Sequence, residues 1–373
     1  KEIVTIGISG EKKLLTDDSY SSEEINSFLS HIEAYIETAK LSKNQDHKIA
    51  MLSMYEALLY MIWAPFSDEY HKQRHKVVGS TANKTGPKIL HLHGPSSNGK
   101  THFFVFASKL LTGEIIEAIP GEKLAIKHVQ GFLNYKSNHP IIYDDLPSGK
   151  WGKGKPTDLI KSYWDAWYNP KFSHPQLIVS SNDRCPNGPV KRRIMEIEFA
   201  MKFKETPKNE KIFNDLLAYD NSIFKIFSKK FIVKLKSAKV NDFSEQLHLA
   251  KKCFKELYKE ANRPLPSFFP SKSLEFYVDS GRRKWNELIK RDKKAGIKRK
   301  GDVIQVKFDK DMALNQGRWD SVDEIANYIN CLPNDMMTSR NGNLLTIESG
   351  EDFLEWFGPI TRFGKFKRWW KGG

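Results

Sequence analysis

The eight residues Gly94-Pro95-Ser96-Ser97-Asn98-Gly99-Lys100-Thr101 restrict what this chain can become more than any other stretch. Glycines at both ends of a tight loop, followed by a lysine and a hydroxyl, supply what a polyphosphate needs: inward-facing backbone N–H groups, one cation and one metal-ligating oxygen. The flanks agree with this reading. Lys88 to His93 reads as a buried strand and Thr101 to Leu111 as a helix, so the loop opens a helix whose first N–H groups favour an anion. Strand, loop and helix in this order call for an α/β layer with a parallel sheet. The expectation is a nucleoside triphosphate site, with Lys100 on the β- and γ-phosphates and Thr101 on Mg2+.

At 373 residues the chain is long enough for two or three domains. Its most apolar run, Met51 to Trp63, contains Ser53, Tyr55 and Glu56 and is too short for a bilayer span, and no charged-then-apolar leader opens the chain. No membrane partner is expected. The three cysteines, Cys185, Cys253 and Cys331, have no paired spacing, which argues against a disulfide framework or zinc cluster and for a reducing, cytoplasmic setting. The first residue is Lys1, so the chain reads as a piece of a longer polypeptide with other activities upstream. A formal charge of +15 points to a polyanionic partner. From Thr206 onward 33 Lys and Arg face 22 Asp and Glu, which places most of the excess beyond the phosphate loop.

Ser21-Ser22-Glu23-Glu24 offers a capping box, and Ile25, Phe28, Leu29, Ile32 and Ile36 follow at helical spacing. A second helix is predicted from Asp46 until Pro65 stops it, giving an antiparallel pair that forms an N-terminal domain over 1–80. Between 81 and 205 apolar strands at Ile89–Leu92, Pro140–Tyr143, Leu177–Ser180 and Arg193–Phe199 alternate with helices. The region 206–373 reads as mainly helical α+β, with helices over 209–236 and 242–261, a basic helix, a strand at Val303–Phe308, a helix near 320–330, a hairpin and helix at Leu344–Phe357, and a winged-helix-like module as one option.

Forty-four residues after Lys100, the apolar run Pro140-Ile141-Ile142-Tyr143 ends in Asp144 and Asp145. ATP hydrolysis needs one carboxylate for the metal and a second to align or deprotonate water; Asp144 is assigned the first role and Asp145 the second. The strand Pro175–Ser181 ends at Asn182, whose neutral amide can sense a γ-phosphate and orient water without repelling either. Lys191-Arg192-Arg193 then leads into the last strand, and an arginine there can stabilise transition-state charge on a neighbouring subunit's nucleotide. His91-Leu92-His93 superficially matches a metal motif, but its place in the strand feeding the loop marks both histidines as structural.

The pieces GPSSNGKT, IIYDD, LIVSSN and KRRIMEIEF, all within about 120 residues, resemble the superfamily 3 helicases, AAA+ motors of viral, phage and plasmid replication. The resemblance implies Lys100 and Thr101 as Walker A, Asp144 and Asp145 as Walker B, Asn182 as sensor 1, and Arg193 as the arginine finger with Arg192 as the alternative. It implies ATP and Mg2+ as cofactors, a homo-oligomeric ring, expected to be a hexamer, the N-terminal helix pair as its collar, and 3′ to 5′ movement on single-stranded DNA. It also implies a primase, polymerase or nuclease covalently joined upstream. The family's DNA-contacting hairpin precedes the sensor strand, and two stretches compete for it: Tyr168–His174, with Lys171, by position, and Gly149–Lys155, with Lys150, Lys153 and Lys155, by chemistry. The cationic stretch Lys290–Lys300 and the tail Arg362–Lys371, where aromatics interleave with cations, also suit single-stranded nucleic acid through stacking and phosphate neutralisation. An AAA+ ATPase that remodels proteins, as a loader or in a defence system, is the alternative class.

Overall fold

The computed structural model describes residues 4–6, 12–14, 19–43, 47–79, 87–133, 138–147, 158–160, 163, 174–185, 193–204, 206–272, 280–291, 295–309, 312, 324–329, 331–332 and 336–357. The chain divides into two compact units, 1–274 and 275–373, in place of three segments bounded near 80 and 205. A short antiparallel ribbon, β1 (Val4–Ile6) with β2 (Lys12–Leu14), opens the first unit. Its framework is a five-stranded parallel sheet of β3 (Ile89–His93), β4 (Ile119–Pro120), β5 (Ile141–Leu146), β6 (Leu177–Ser181) and β7 (Ile194–Glu198), in the spatial order β4-β5-β6-β3-β7. Parallel sheets are covered on both faces, which is why β3 and β6 are apolar-rich and buried at every position. One face packs Ile89, Ile141, Tyr143, Leu177 and Val179 against Val129, Leu159, Ile160 and Tyr163.

The helices of the first unit are α1 (Ser22–Glu37), α2 (His47–Trp63), α3 (Ser67–Val78), α4 (Lys100–Thr112), α5 (Ile126–Leu133), α6 (Pro207–Ala218), α7 (Ile223–Lys236) and α8 (His248–Glu260). The capping box at Ser21 is formed: Glu24 N donates to Ser21 Oγ at 3.2 Å and Ser21 N to Glu24 Oε2 at 2.7 Å. Helix α2 is buried on every side from Ala50 to Trp63, because it lies against α4, β3 and β7 as well as α1 and α8. That is why no boundary falls at 80. Pro65 ends α2 in a single 3-10 turn, Ala64–Phe66, and α3 follows at once; 47–78 is the one stretch among the described residues long and apolar enough to cross a bilayer, and 89% of its apolar window is buried in the protein.

The single helix expected over 209–236 is two. Asn221 breaks it: its Oδ1 accepts from Ile223 N at 2.9 Å while its Nδ2 donates to Phe28 O at 2.9 Å, so one amide caps α7 and ties it to α1. Helix α1 docks on the helix that follows the phosphate loop, with Tyr35 stacked on Phe106 at 3.7 Å between centroids and 6° between planes. Glu33 on α1 holds Arg263 through a 2.5 Å ion pair and accepts from Tyr258 Oη at 2.8 Å; Tyr258 in turn meets Tyr55 of α2 at 2.9 Å.

The second unit is α+β. Helix α9 (Ser280–Asn286) runs into a π turn, Glu287–Arg291, and is followed by β8 (Ala295–Lys300), β9 (Val303–Phe308), α10 (Glu324–Ile329), β10 (Thr338–Asn341), β11 (Leu344–Ile347) and α11 (Gly350–Phe357). The strands pair antiparallel in the order β10-β11-β9-β8. Both hairpins turn on two residues, with Gly301 at φ 60° and Gly342 at φ 59° supplying the left-handed position such turns require. Trp285, Leu288, Ile325 and Phe353 pack on Ile304, Val306, Phe308, Leu345 and Ile347 of one sheet face. The winged-helix-like reading gives way to a four-stranded sheet of two hairpins, and the basic segment at Lys298–Lys300 is strand rather than helix.

A buried charge cluster holds α2 to α8. Lys251 Nζ lies 3.4 Å from Glu56 Oε1, bonds Glu245 Oε1 and donates to Lys272 O at 3.0 Å, while both Lys251 and Glu56 are almost wholly inaccessible. Removing one partner strands a charge in the interior. Lys251→Met should therefore cost about 3–5 kcal/mol in urea unfolding, and adding Glu56→Leu should recover much of that loss.

Candidate nucleotide site

The loop from Gly94 to Thr101 is shaped by the chain that leaves β7. A Cβ at Gly94, where φ is 151°, would sit 2.2 Å from Phe199 O, so only glycine fits there. Asn98, buried, donates from Nδ2 to the same Phe199 O at 2.8 Å and accepts from Lys100 N at 3.3 Å on Oδ1. Phe203 N closes the clasp on Ser97 O at 3.1 Å, and a Cβ at Gly99, at φ 82°, would press on the Phe203 ring at 2.9 Å. Pro95 and Ser96 are exposed at the loop's outer edge. Helix α4 begins at Lys100, so its first N–H groups open into the loop.

Lys100 is 6% exposed, and its ammonium donates to Gly94 O at 2.8 Å, Pro95 O at 3.4 Å and Asn182 Oδ1 at 3.2 Å. Burial lowers its pKa, opposed by the charges of Asp144 and Asp145, so both carboxylates act on the same cation. Thr101 Oγ1 donates to Asp144 Oδ2 at 2.5 Å. The strand order produces this meeting: β6 lies between β3 and β5, which brings Asn182, at the end of β6, beside the loop that follows β3.

The paired carboxylates sit on an irregularity in β5. Tyr143 is level with Val179 and Leu146 with Ser181, so Asp144 and Asp145 together oppose the single residue Ser180. This is a bulge. Asp145 takes φ 57°, a conformation that costs a non-glycine residue about 1–2 kcal/mol, and Ser180 offsets the cost by serving both neighbours: its Oγ donates to Asp144 Oδ1 and accepts from Asp145 N at 2.9 Å. Gly121 lies over the bulge, where a Cβ would approach Leu146 N to 2.5 Å. Alternation along an ideal strand would send the two aspartates to opposite faces, and the bulge re-aims one of them.

Beyond Asn182 the chain is fixed to the outer strand pair. His91 Nε2 lies 2.8 Å from Ser181 Oγ and its Nδ1 is 3.4 Å from Glu196 Oε1, which also accepts from Cys185 N at 2.8 Å. Burial alone would raise the Glu196 pKa; the His91 hydrogen bond and the charges of His93, His91 and Arg184 overcome it and hold the carboxyl well below its usual range. Arg184 Nη2 meets Glu198 Oε2 at 3.4 Å. His91 thus ties β3 to both β6 and β7.

Arg193 precedes β7, at the strand end away from the loop. Ile194 pairs with Ile89 and Glu198 with His93, so about 17 Å of strand separates Arg193 from the loop of its own chain, more than an arginine side chain spans. The structure therefore brings together Lys100, Thr101, Asp144, Asp145 and Asn182, and leaves Arg193 apart. Arg192 and the four lysines Lys150, Lys153, Lys155 and Lys171 lie outside the described residues. Ser180 and Glu196 are site-building residues that the sequence reading missed, and Asn98, expected as a residue of the phosphate loop, braces that loop against Phe199 O. Ser180 left a trace as a hydroxyl at the end of an apolar strand.

The hard oxygens of Thr101 and Asp144, with Asp144 half-buried and Thr101 exposed, suit a magnesium ion that keeps several waters, and the loop's N–H groups with Lys100 suit a triphosphate. Fold and site together define a P-loop NTPase domain, the α/β core expected from the sequence. Residues 6–185 match the family described as Aq_aa27 P-loop NTPase domain. No curated protein matches. A solved structure titled "SCCmec type IV Cch - active helicase" is similar to this chain at 14% identity with a TM-score of 0.39, over 89% of this chain and 72% of that one.

Two substitutions test the geometry. Ser180→Ala removes the bond to Asp144 and frees Asp145 N, so nucleotide turnover should fall at least tenfold with nucleotide affinity within about threefold of the parent protein, read by steady-state kinetics and titration. Gly94→Ala should lower the unfolding temperature by several degrees and abolish nucleotide binding, because the methyl group collides with backbone that cannot move without parting β7 from β3.

Proposed function

We propose that this chain is an ATP-driven motor that moves on single-stranded DNA and opens duplexes ahead of it, acting as a homo-oligomeric ring, a hexamer, with each ATP shared between two subunits. The observation that carries this reading is the contact between Asn182 and Lys100, since a neutral amide on a strand inserted between β3 and β5 is placed to feel the γ-phosphate come and go. ATP with Mg2+ supplies the phosphoanhydride to be broken and the cation that neutralises it. Lys100 and the loop N–H groups hold the phosphates, Thr101 and Asp144 hold the metal, and Asp145 takes up the proton of an attacking water that Asn182 orients. Arg193, too far from its own loop, serves the neighbour's.

The resemblance to superfamily 3 motifs and the net charge of +15 support a nucleic-acid track. Lys100→Ala should abolish hydrolysis and leave the fold intact. Arg193→Ala should keep nucleotide binding and lose hydrolysis at least a hundredfold, and mixing it with Lys100→Ala subunits should restore part of the activity, because each supplies what the other lacks. Single-stranded DNA should stimulate turnover, with affinity falling steeply as salt rises. Turnover indifferent to DNA, with no rescue on mixing, would transfer the site to a protein-remodelling ATPase.

A further inference from the structure

The four-stranded sheet of the second unit has two unlike faces. Ala295, Ile304, Val306, Phe308, Leu345 and Ile347 fill one of them, together with residues of α9, α10 and α11. Strand alternation turns the intervening residues to the other face. There Lys298 on β8 stands level with Gln305 on β9, Thr346 on β11 and Ser339 on β10, a row that crosses the whole sheet and spans about 14 Å. Lys300 lies two residues from Lys298 along β8, and Lys307 lies two residues from Gln305 along β9 in the opposite sense, so three exposed ammonium groups occupy three successive levels about 7 Å apart.

We propose that this open face docks duplex DNA through its phosphates, without reading sequence. Three arguments select that partner. The described strand residues on this face include no aspartate or glutamate, and over 282–310 twelve Lys and Arg stand against four acids, so the charge has one sign where the sheet is open. The face also carries no aromatic ring at any described strand position, and single-stranded nucleic acid is gripped largely by stacking its bases on such rings. A duplex keeps its bases turned inward and offers the densest line of phosphates; lysines at regular levels, flanked by the short polar side chains of Gln305, Thr346 and Ser339, match that ligand. Arg299 does not belong to the surface. It points to the other face, where its Nη2 meets Glu351 Oε1 at 3.5 Å, so the run Lys298-Arg299-Lys300 is split by the strand into two outward cations and one inward.

The surface goes beyond the motor reading and is measured without nucleotide, so the two fail separately: the motor through DNA-stimulated turnover, the sheet through duplex binding alone. In the full chain, Lys298→Glu, Lys300→Glu and Lys307→Glu would be combined, with a second triple variant carrying Gln at the same positions as the control for folding. Binding of a labelled blunt duplex and of a labelled single-stranded oligonucleotide would be followed by anisotropy across a salt series. Both variants should bind the duplex at least tenfold more weakly. The slope of log affinity against log salt should fall by roughly 2–3, about 0.9 for each lysine lost, while single-strand affinity, DNA-free ATP turnover and the unfolding temperature stay unchanged. The proposal is overturned if the parent protein does not bind the duplex, if the Gln variant keeps the parent's duplex slope, if the loss falls equally on single strands, or if an acidic polypeptide displaces the duplex as readily from the variants as from the parent.

Discussion

The clasp between the phosphate loop and the segment leaving β7 is the contact on which the rest of the site depends. Phe199 N bonds His93 O at 2.7 Å, Phe199 O fills the space a Cβ at Gly94 would need, and Phe203 N and ring close over Ser97 and Gly99. A phosphate loop must turn its N–H groups inward, which leaves its carbonyls to other donors; here Phe203 N takes Ser97 O and the Lys100 ammonium takes Gly94 O and Pro95 O, while the Asn98 amide ties the loop to Phe199 O. The loop is thus shaped by the parallel register of β3 and β7 as much as by its own glycines. Arg193 immediately precedes the same strand. A single five-residue rod, β7, therefore has the cradle clasp at one end and the arginine at the other, and any displacement of one end is carried to the other because a paired strand does not stretch.

The two aspartates pose a conflict that the fold resolves locally. Adjacent strand residues face opposite ways, yet both carboxylates act on Lys100. The resolution is the bulge opposite Ser180, bought with a left-handed Asp145 and steadied by one hydroxyl that donates to one aspartate and accepts from the next. The bond to the Asp144 carboxylate is charge-assisted, a kind roughly twice as strong as a neutral one, and the neutral bond from Asp145 N satisfies the backbone donor at the strained residue. The distortion lies beside Thr101 and Asn182, where a carboxylate's direction matters, and nowhere else in the sheet is the register shifted among the described residues.

Much of this was legible in the chain because it is local. Ser21 and Glu24 announced the start of α1, the apolar runs gave β3, β5, β6 and β7 to within a residue or three, and the loop named its own chemistry. What escaped is set by tertiary context. The bulge depends on Ser180, 35 residues away from Asp145, and β4 is two residues held by pairing with β5 alone. Strand β8 was hidden by its lysines, which give alternation no apolar phase to show. The misplaced boundary at 80 had a signal in the sequence: α2 is apolar around its whole circumference, and a helix without a polar face belongs inside a domain, here between the sheet and the outer helices.

Net charge was the least specific guide, and its partition in the fold explains why. Several cations on α7 and α8 are already engaged, Lys230 with Glu260 and Lys234 with Glu256 at 2.5 Å each, and Lys252 with Asp242, while Lys251 is buried in its own cluster. Such surface pairs add little stability, about 0–1 kcal/mol each, but they remove the field that a bare lysine would project toward a polyanion. The cations on the helices therefore count for less than the formal charge suggests. Strand geometry does the reverse on the second unit, where alternation takes Arg299 to Glu351 on one side and leaves Lys298 and Lys300 on a face whose described strand residues include no acid. Where a positive charge can act at a distance is thus decided by secondary-structure period and cross-element pairing, and not by how many lysines the chain contains.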